Sequence, residues 1–114
     1  MKVYFNRGIT KLDNKQYAEA IEDFYKAIEI NLNYAEAYYV RGCIYSETGK
    51  YQEAIKDFSK VIKLEPQCDE AYFLTGCNRA DVRDYQRAIK DYSQAITINP
   101  EHIKAYCNRG QCDA

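Results

Sequence analysis

An all-α fold of stacked, antiparallel helix pairs is what this sequence predicts, and three observations predict it. One pattern recurs at a fixed step of thirty-four residues: YFNRG at Tyr4–Gly8, YYVRG at Tyr38–Gly42, YFLTG at Tyr72–Gly76 and YCNRG at Tyr106–Gly110. Between the copies, apolar residues fall at helical rather than strand spacing. Proline stands at matching places in the step, Pro66 and Pro100, where helices are expected to end. Self-similarity at such a period marks an array whose units bury their faces on one another.

A length of 114 residues fits a single domain, divided here into units 1–34, 35–68 and 69–102 and a partial fourth, 103–114. The first unit opens on a helix carrying YFNRG. Its second helix shows Tyr17, Ala20, Ile21, Phe24, Ala27 and Ile28, an apolar stripe on one face. The second unit repeats this with Tyr51, Ala54, Ile55, Phe58, Val61 and Ile62, and the third with Tyr85, Ala88, Ile89, Tyr92, Ala95 and Ile96. Gly49 marks the end of a first helix, where a left-handed residue is wanted, and Asn14 is its nearest equivalent in the first unit. Pro66 and Pro100 stop the second helices, because proline cannot continue them. Only short turns remain, so the two helices of a unit are antiparallel neighbours.

Each recurring glycine costs about 1 kcal/mol against alanine inside a helix. The expected compensation is packing. Gly8 and Ala20 are small residues on facing helices, which lets the backbones approach while Phe24 and Tyr4 fill the space beside them.

These columns resemble the tetratricopeptide repeat, a helix–turn–helix unit of this length with small residues at the Gly8 and Ala20 columns and proline near its end. The resemblance spans the whole chain. Leu32 departs from the proline column, and Lys11 and Arg79 stand where Tyr45 supplies the usual aromatic, departures expected to soften local packing. The implied architecture is a right-handed α-solenoid whose first helices line a concave groove. The implied function is non-catalytic: an interaction module, adaptor or scaffold, holding a segment of another protein.

By that resemblance the groove is lined by Lys2, Phe5, Asn6 and Ile9, then Glu36, Tyr39, Val40 and Cys43, then Glu70, Phe73, Leu74 and Cys77, and finally Lys104 and Asn108. The family's best-known activity is a clamp of lysines, asparagines and an arginine on the terminal carboxylate of chaperone tails. Its slots hold Phe5, Ile9, Val40, Glu70 and Leu74 here; a shift by one unit gives Tyr39, Cys43, Leu74, Lys104 and Asn108, restoring one cation. Two carboxylates need charge-assisted donors, so the partner expected is not a chaperone tail. An apolar strip edged by Asp13, Glu36, Glu47, Glu70 and Asp81 suits an amphipathic or extended segment with apolar anchors and some Lys or Arg. The Phe5, Tyr39 and Phe73 column reads equally as anchors for the partner and as support for neighbouring helices.

Composition narrows the classes. A net charge of −1 with 29% charged residues leaves no broad basic surface, so nucleic acid is not expected as a partner. No apolar run is long enough to span a bilayer, and no secretory leader follows Met1. Five cysteines without close spacing read as free thiols in a reducing, cytoplasmic compartment. Cys43 and Cys77 share a column on adjacent helices, too far apart for a disulfide; Cys107 and Cys112 face different sides of one helix. No C-x-x-C pair exists and the one histidine, His102, falls in a turn, so no metal is expected. No glycine-rich phosphate loop appears, and no cofactor or catalytic constellation is expected.

Arg7 and Asp23 lie sixteen apart, as do Arg41 and Asp57, whereas the third unit has Thr75 opposite Asp91. Recurrence favours an ion pair tying first helix to second over an anion site; if exposed, it adds at most about 1 kcal/mol. The alternative to partner binding is self-association through exposed repeat ends, near Tyr106 and Cys112, or service as part of a longer array.

Overall fold

The computed structural model describes residues 2–113, and the side chains at 103, 106 and 111–113 lie outside the description. Those side chains include Tyr106 and Cys112, on which the expected end-to-end contact rests. Among the described residues every element is a helix: α1 (Val3–Asp13), α2 (Tyr17–Ile30), α3 (Ala35–Glu47), α4 (Tyr51–Leu64), α5 (Asp69–Asp81), α6 (Tyr85–Ile98) and α7 (Ile103–Asp113). Successive helices pack on one another along a body of 43 × 25 × 20 Å.

The seam inside each pair closes around the recurring glycine. A Cβ built on Gly8 would first meet the Phe24 ring, at 2.9 Å; on Gly42 the Phe58 ring, at 2.8 Å; on Gly76 the Tyr92 ring, at 2.8 Å. The glycine therefore admits the aromatic ring sixteen residues on, and Phe24 fills the space beside Gly8 as expected. Phe24, Phe58 and Tyr92 are buried almost completely, as are Ala20, Ala54 and Ala88. Burial of such rings is the main stabilising contribution of each pair. At Gly110 a Cβ would meet nothing within 4 Å.

The first helices of the three complete pairs, α1, α3 and α5, close the same way. Lys15 N donates to Leu12 O and Gln16 N to Lys11 O; the counterparts are Gly49 to Ser46 with Lys50 to Tyr45, and Arg83 to Ala80 with Asp84 to Arg79. This closure requires a left-handed residue. Its occupants are Lys15 (φ 60°), Gly49 (φ 81°) and Arg83 (φ 66°). Asn14 was the residue expected in the first pair. The bond pattern shifts the strained position by one, onto a lysine that bears the Cβ cost of the left-handed region.

The aspartate of each second helix is the buried charge of its pair: Asp23, Asp57 and Asp91 are 1%, 4% and 9% exposed. Arg7 forks onto Asp23 at 2.7 and 3.1 Å, and Arg41 onto Asp57 at 2.7 and 2.9 Å. In the third pair, Thr75 instead donates its hydroxyl to Ala71 O, and Arg79 reaches Asp91 at 2.9 and 3.2 Å. Arg79 stands one turn after Thr75 on the same face, so the cation has moved along the helix without leaving the acid. Lys11, in the same column as Arg79, adds a second cation to Asp23 at 3.2 Å. These two departures were expected only to soften packing; they satisfy a buried carboxylate, which unpaired would cost several kcal/mol. The ion pairs expected between first and second helix are present, each with its aspartate buried, and the Arg7 end of the first is half exposed.

Their titration diverges. The Arg7 hydrogen bond holds Asp23 below the ordinary aspartate range, against the pull of burial. Burial dominates at Asp57 and pushes it up in spite of Arg41. It pushes Asp91 up to about 6, with Arg79 opposing.

Candidate partner-binding groove

The expected groove residues come from the first helices, and the structure sorts them by how much of each remains reachable. Lys2, Asn6, Glu36, Glu70 and Lys104 are exposed. Phe5, Ile9, Tyr39, Val40, Cys43, Leu74, Cys77 and Asn108 are half-buried, and Phe73 is buried. Phe5, Ile9 and Val40 pack against the cluster of Ala20, Phe24 and Ile44, while Leu74 and Cys77 pack against that of Phe73, Ala88 and Tyr92. Much of the apolar strip is thus shared between groove and core. Asn108 donates its amide to Cys77 Sγ at 3.7 Å, tying α7 to α5.

The aromatic column divides between its two readings. Every member leans on the core ring of its own pair: Phe5 on Phe24 at 5.6 Å, Tyr39 on Phe58 at 5.8 Å, Phe73 on Tyr92 at 5.9 Å. Two are also covered from the next pair. Tyr34 stacks on Phe5 with centroids 5.0 Å apart, and His102 lies on Phe73 at 4.7 Å. The middle position of the covering column is Cys68, which has no ring. Beside it lies a cavity of about 280 Å³ lined by Phe5, Ala35, Glu36, Tyr39, Val40, Val61, Glu65 and Cys68. A neighbouring cavity of about 430 Å³ shares Ala35, Glu36 and Glu65. A third, of about 200 Å³, is lined by Leu12, Tyr17, Cys43, Ile44 and Glu47.

Sequence reasoning named Tyr39, Val40 and Glu36 for the groove but missed Cys68, Glu65 and Val61. The signal was available in the thirty-four-residue column Tyr34, Cys68, His102, where one member lacks a ring. Electrostatics around Tyr39 are acidic. Burial, followed by Cys43 and Glu70, pushes its phenol up to about 12. Burial likewise raises Cys43 to about 11 and also raises Cys77, which disfavours thiolate chemistry in the groove. Cys43, Cys68, Cys77 and Cys107 are free thiols.

His102 is more engaged than its turn position implied. It is 8% exposed, its Nδ1 accepts the Ala105 N–H at 3.3 Å, and its Nε2 lies 2.9 Å from Glu70 Oε1. One neutral tautomer serves both contacts, with Nε2–H donating to Glu70 and Nδ1 capping α7. Asp69, Glu70 and His102 bring potential ligand atoms within 4.8 Å of one another. A metal on Nε2 would have to displace that hydrogen and turn the Nδ1 cap from acceptor to donor. The donor set therefore fits a helix cap and an inter-pair tie.

Comparison with known proteins agrees with this geometry. The tetratricopeptide repeat profile matches residues 2–34 and 35–68, and a TPR repeat profile matches residues 84–112. The chain belongs to the tetratricopeptide repeat family, whose folds are protein-interaction modules. No curated protein sequence matches it. Among solved structures it is similar to the first TPR of Spaghetti (RPAP3) bound to the HSP90 peptide SRMEEVD, at 21% identity, TM-score 0.91, covering 97% of this chain and 88% of that one. It is similar to the second TPR domain of human RPAP3 in complex with an HSP70 peptide, at 22% identity and TM-score 0.90, covering 97% and 92%. The MamA protein, at 25% identity and TM-score 0.93, is covered over 61% of its length by 97% of this chain. These likenesses show the fold, a right-handed solenoid of helix pairs. They do not support the expected exclusion of chaperone tails, since two of these similar folds hold such peptides. No helix among the described residues is long and apolar enough to cross a membrane.

Proposed function

We propose that this chain is a non-catalytic adaptor of a reducing, cytoplasmic compartment. In this reading its concave groove holds a segment of another protein bearing apolar side chains and Lys or Arg. The observation that carries the reading is the open, largely apolar cavity beside Tyr39, with Glu36 and Glu65 among its lining residues. Apolar walls reward burial of an anchor, and acidic residues along the groove select its neighbours by charge. The same acidity, with Lys2 and Lys104 as the opposing groove cations, disfavours an acidic tail such as SRMEEVD. Selection from a displayed peptide library tests this: enriched sequences carry Lys or Arg among apolar residues, and enrichment of acidic sequences would contradict it.

A second reading, association through the outer face of the first pair, has one observation in its favour. Val3 is 68% exposed, whereas Ala37, Ala71 and Ala105 in the same column are fully buried. Sedimentation velocity at rising concentration decides it: association that Val3→Asp removes supports this reading, and a strict monomer ends it.

A further inference from the structure

The slot beside Tyr39 differs from its two counterparts in a way that specifies an occupant. In the first and third pairs the groove aromatic is covered by a flat ring donated by the following turn, Tyr34 on Phe5 and His102 on Phe73, with planes inclined by 26° and 36°. In the middle pair the same backbone position carries Cys68, which has no ring, and an open cavity of about 280 Å³ lies beside it, lined by Tyr39, Val40, Val61 and Cys68 and, at its margin with the first pair, by Phe5 and Ala35. A flat group from outside can lie against Tyr39 as the intrinsic rings lie against Phe5 and Phe73. Charge chooses among flat groups, since Glu36 and Glu65 line the cavity and Glu70 lies close enough to act on the Tyr39 phenol.

We propose that this slot is an arginine pocket. The guanidinium of a partner's arginine stacks on Tyr39 in the place of the missing ring, with its aliphatic stem against Val40 and Val61 and its N–H groups directed to Glu36 and Glu65. Arginine meets all three demands: a planar cation that stacks on aromatic faces, a fork of donors matched to carboxylates, and an apolar stem. Lysine lacks the plane. A phenylalanine ring lacks the charge that would answer two carboxylates.

This inference rests on the groove reading above, and its test separates the two. Amide chemical shifts of the whole chain are followed while N-acetyl-arginine N-methylamide is added, with the lysine and norleucine analogues as controls. The arginine probe is expected to move the amides of residues 36, 39, 65 and 68 saturably, the lysine probe several-fold more weakly and norleucine least. Cys68→Tyr, which restores the ring of the first pair, is expected to abolish the arginine response and to lower the affinity of an arginine-containing groove peptide to that of its Arg→Ala version. Should that variant fail to fold, Glu36→Gln with Glu65→Gln is expected to remove the preference of arginine over norleucine. Equal responses to arginine and norleucine in the unaltered chain, or an undiminished arginine response in Cys68→Tyr, would overturn the pocket. If basic-apolar peptides then still bind, the groove reading survives; if none binds while the probe does, the groove reading fails and the pocket stands.

Discussion

Inside each helix pair, the three hairpins meet the same demand with nearly the same atoms: a glycine admits an aromatic ring, an alanine is fully buried, and a buried aspartate takes a cation from the first helix. Along the groove the pairs diverge. Phe5 and Phe73 are roofed by Tyr34 and His102, while Tyr39 faces Cys68 and an open cavity. The seam must close in every pair, since an unfilled or overfilled core costs stability directly. The groove is free to vary, and its departure from the repeat at Cys68 is where an outside group has room.

The contrast breaks most visibly at the seam rings. Phe58→Ala is expected to cost about 3–5 kcal/mol in chemical denaturation. By contrast Glu36→Lys with Glu65→Lys, both exposed, should stay within about 0.5 kcal/mol per site while abolishing capture of basic peptides in a pull-down.

The glycine column sharpens it further, with a change of sign. Gly42→Ala forces the enclosed Phe58 ring to move, an overpacking cost of about 1–3 kcal/mol that outweighs the helix-propensity gain. Gly110→Ala meets no obstacle and should stabilise by up to about 1 kcal/mol. Melting curves of the two variants read both directions.

The buried aspartates separate the first pair from the third by pH. Burial pushes the folded pKa of Asp91 above the ordinary aspartate range, up to about 6. The native state therefore holds the proton more tightly, and this group's contribution to stability is present at low pH and lost as pH rises through about 6. Asp23 is lowered, so its contribution is present above the ordinary aspartate range and lost as pH falls through its depressed value. Burial is the leading cause at Asp91, opposed by a single guanidinium nitrogen, whereas at Asp23 the forked arginine comes first and, with Lys11, outweighs burial. Asp91→Asn should flatten the falling limb, and Asp23→Asn the acid limb, in stability measured across pH. Carbon-detected titration of the two carboxyls checks the order directly.

The smallest effect belongs to the turns. Arg83→Gly relieves a left-handed backbone that Gly49 already accommodates, and should stabilise by about 1 kcal/mol in urea titration.

Much of this was legible in the chain. The period, the helical stripes and the Arg41–Asp57 spacing follow from residue types at fixed separations, because each unit repeats the same packing. Features produced by substitution within a column were harder to see. Arg79 replaces the cation lost at Thr75 from one turn away, which a column-by-column comparison scores as two unrelated departures. Lys15 adopts the glycine conformation without being glycine, since the hydrogen-bond pattern that closes the helix outweighs the local preference. Cys68 matters through the ring it does not have, and Phe73 is withdrawn from the groove by a histidine from the following turn.

The central claim is that the groove selects partners by an apolar anchor combined with positive charge. Fluorescence anisotropy with labelled peptides matched in apolar content and differing only in charge sign tests it most directly. Basic peptides should bind tightest, weaken as salt screens the groove acids, and compete with one another, with acidic peptides weakest at every salt concentration. Equal binding of both signs, or tighter binding of the acidic set, would contradict the account.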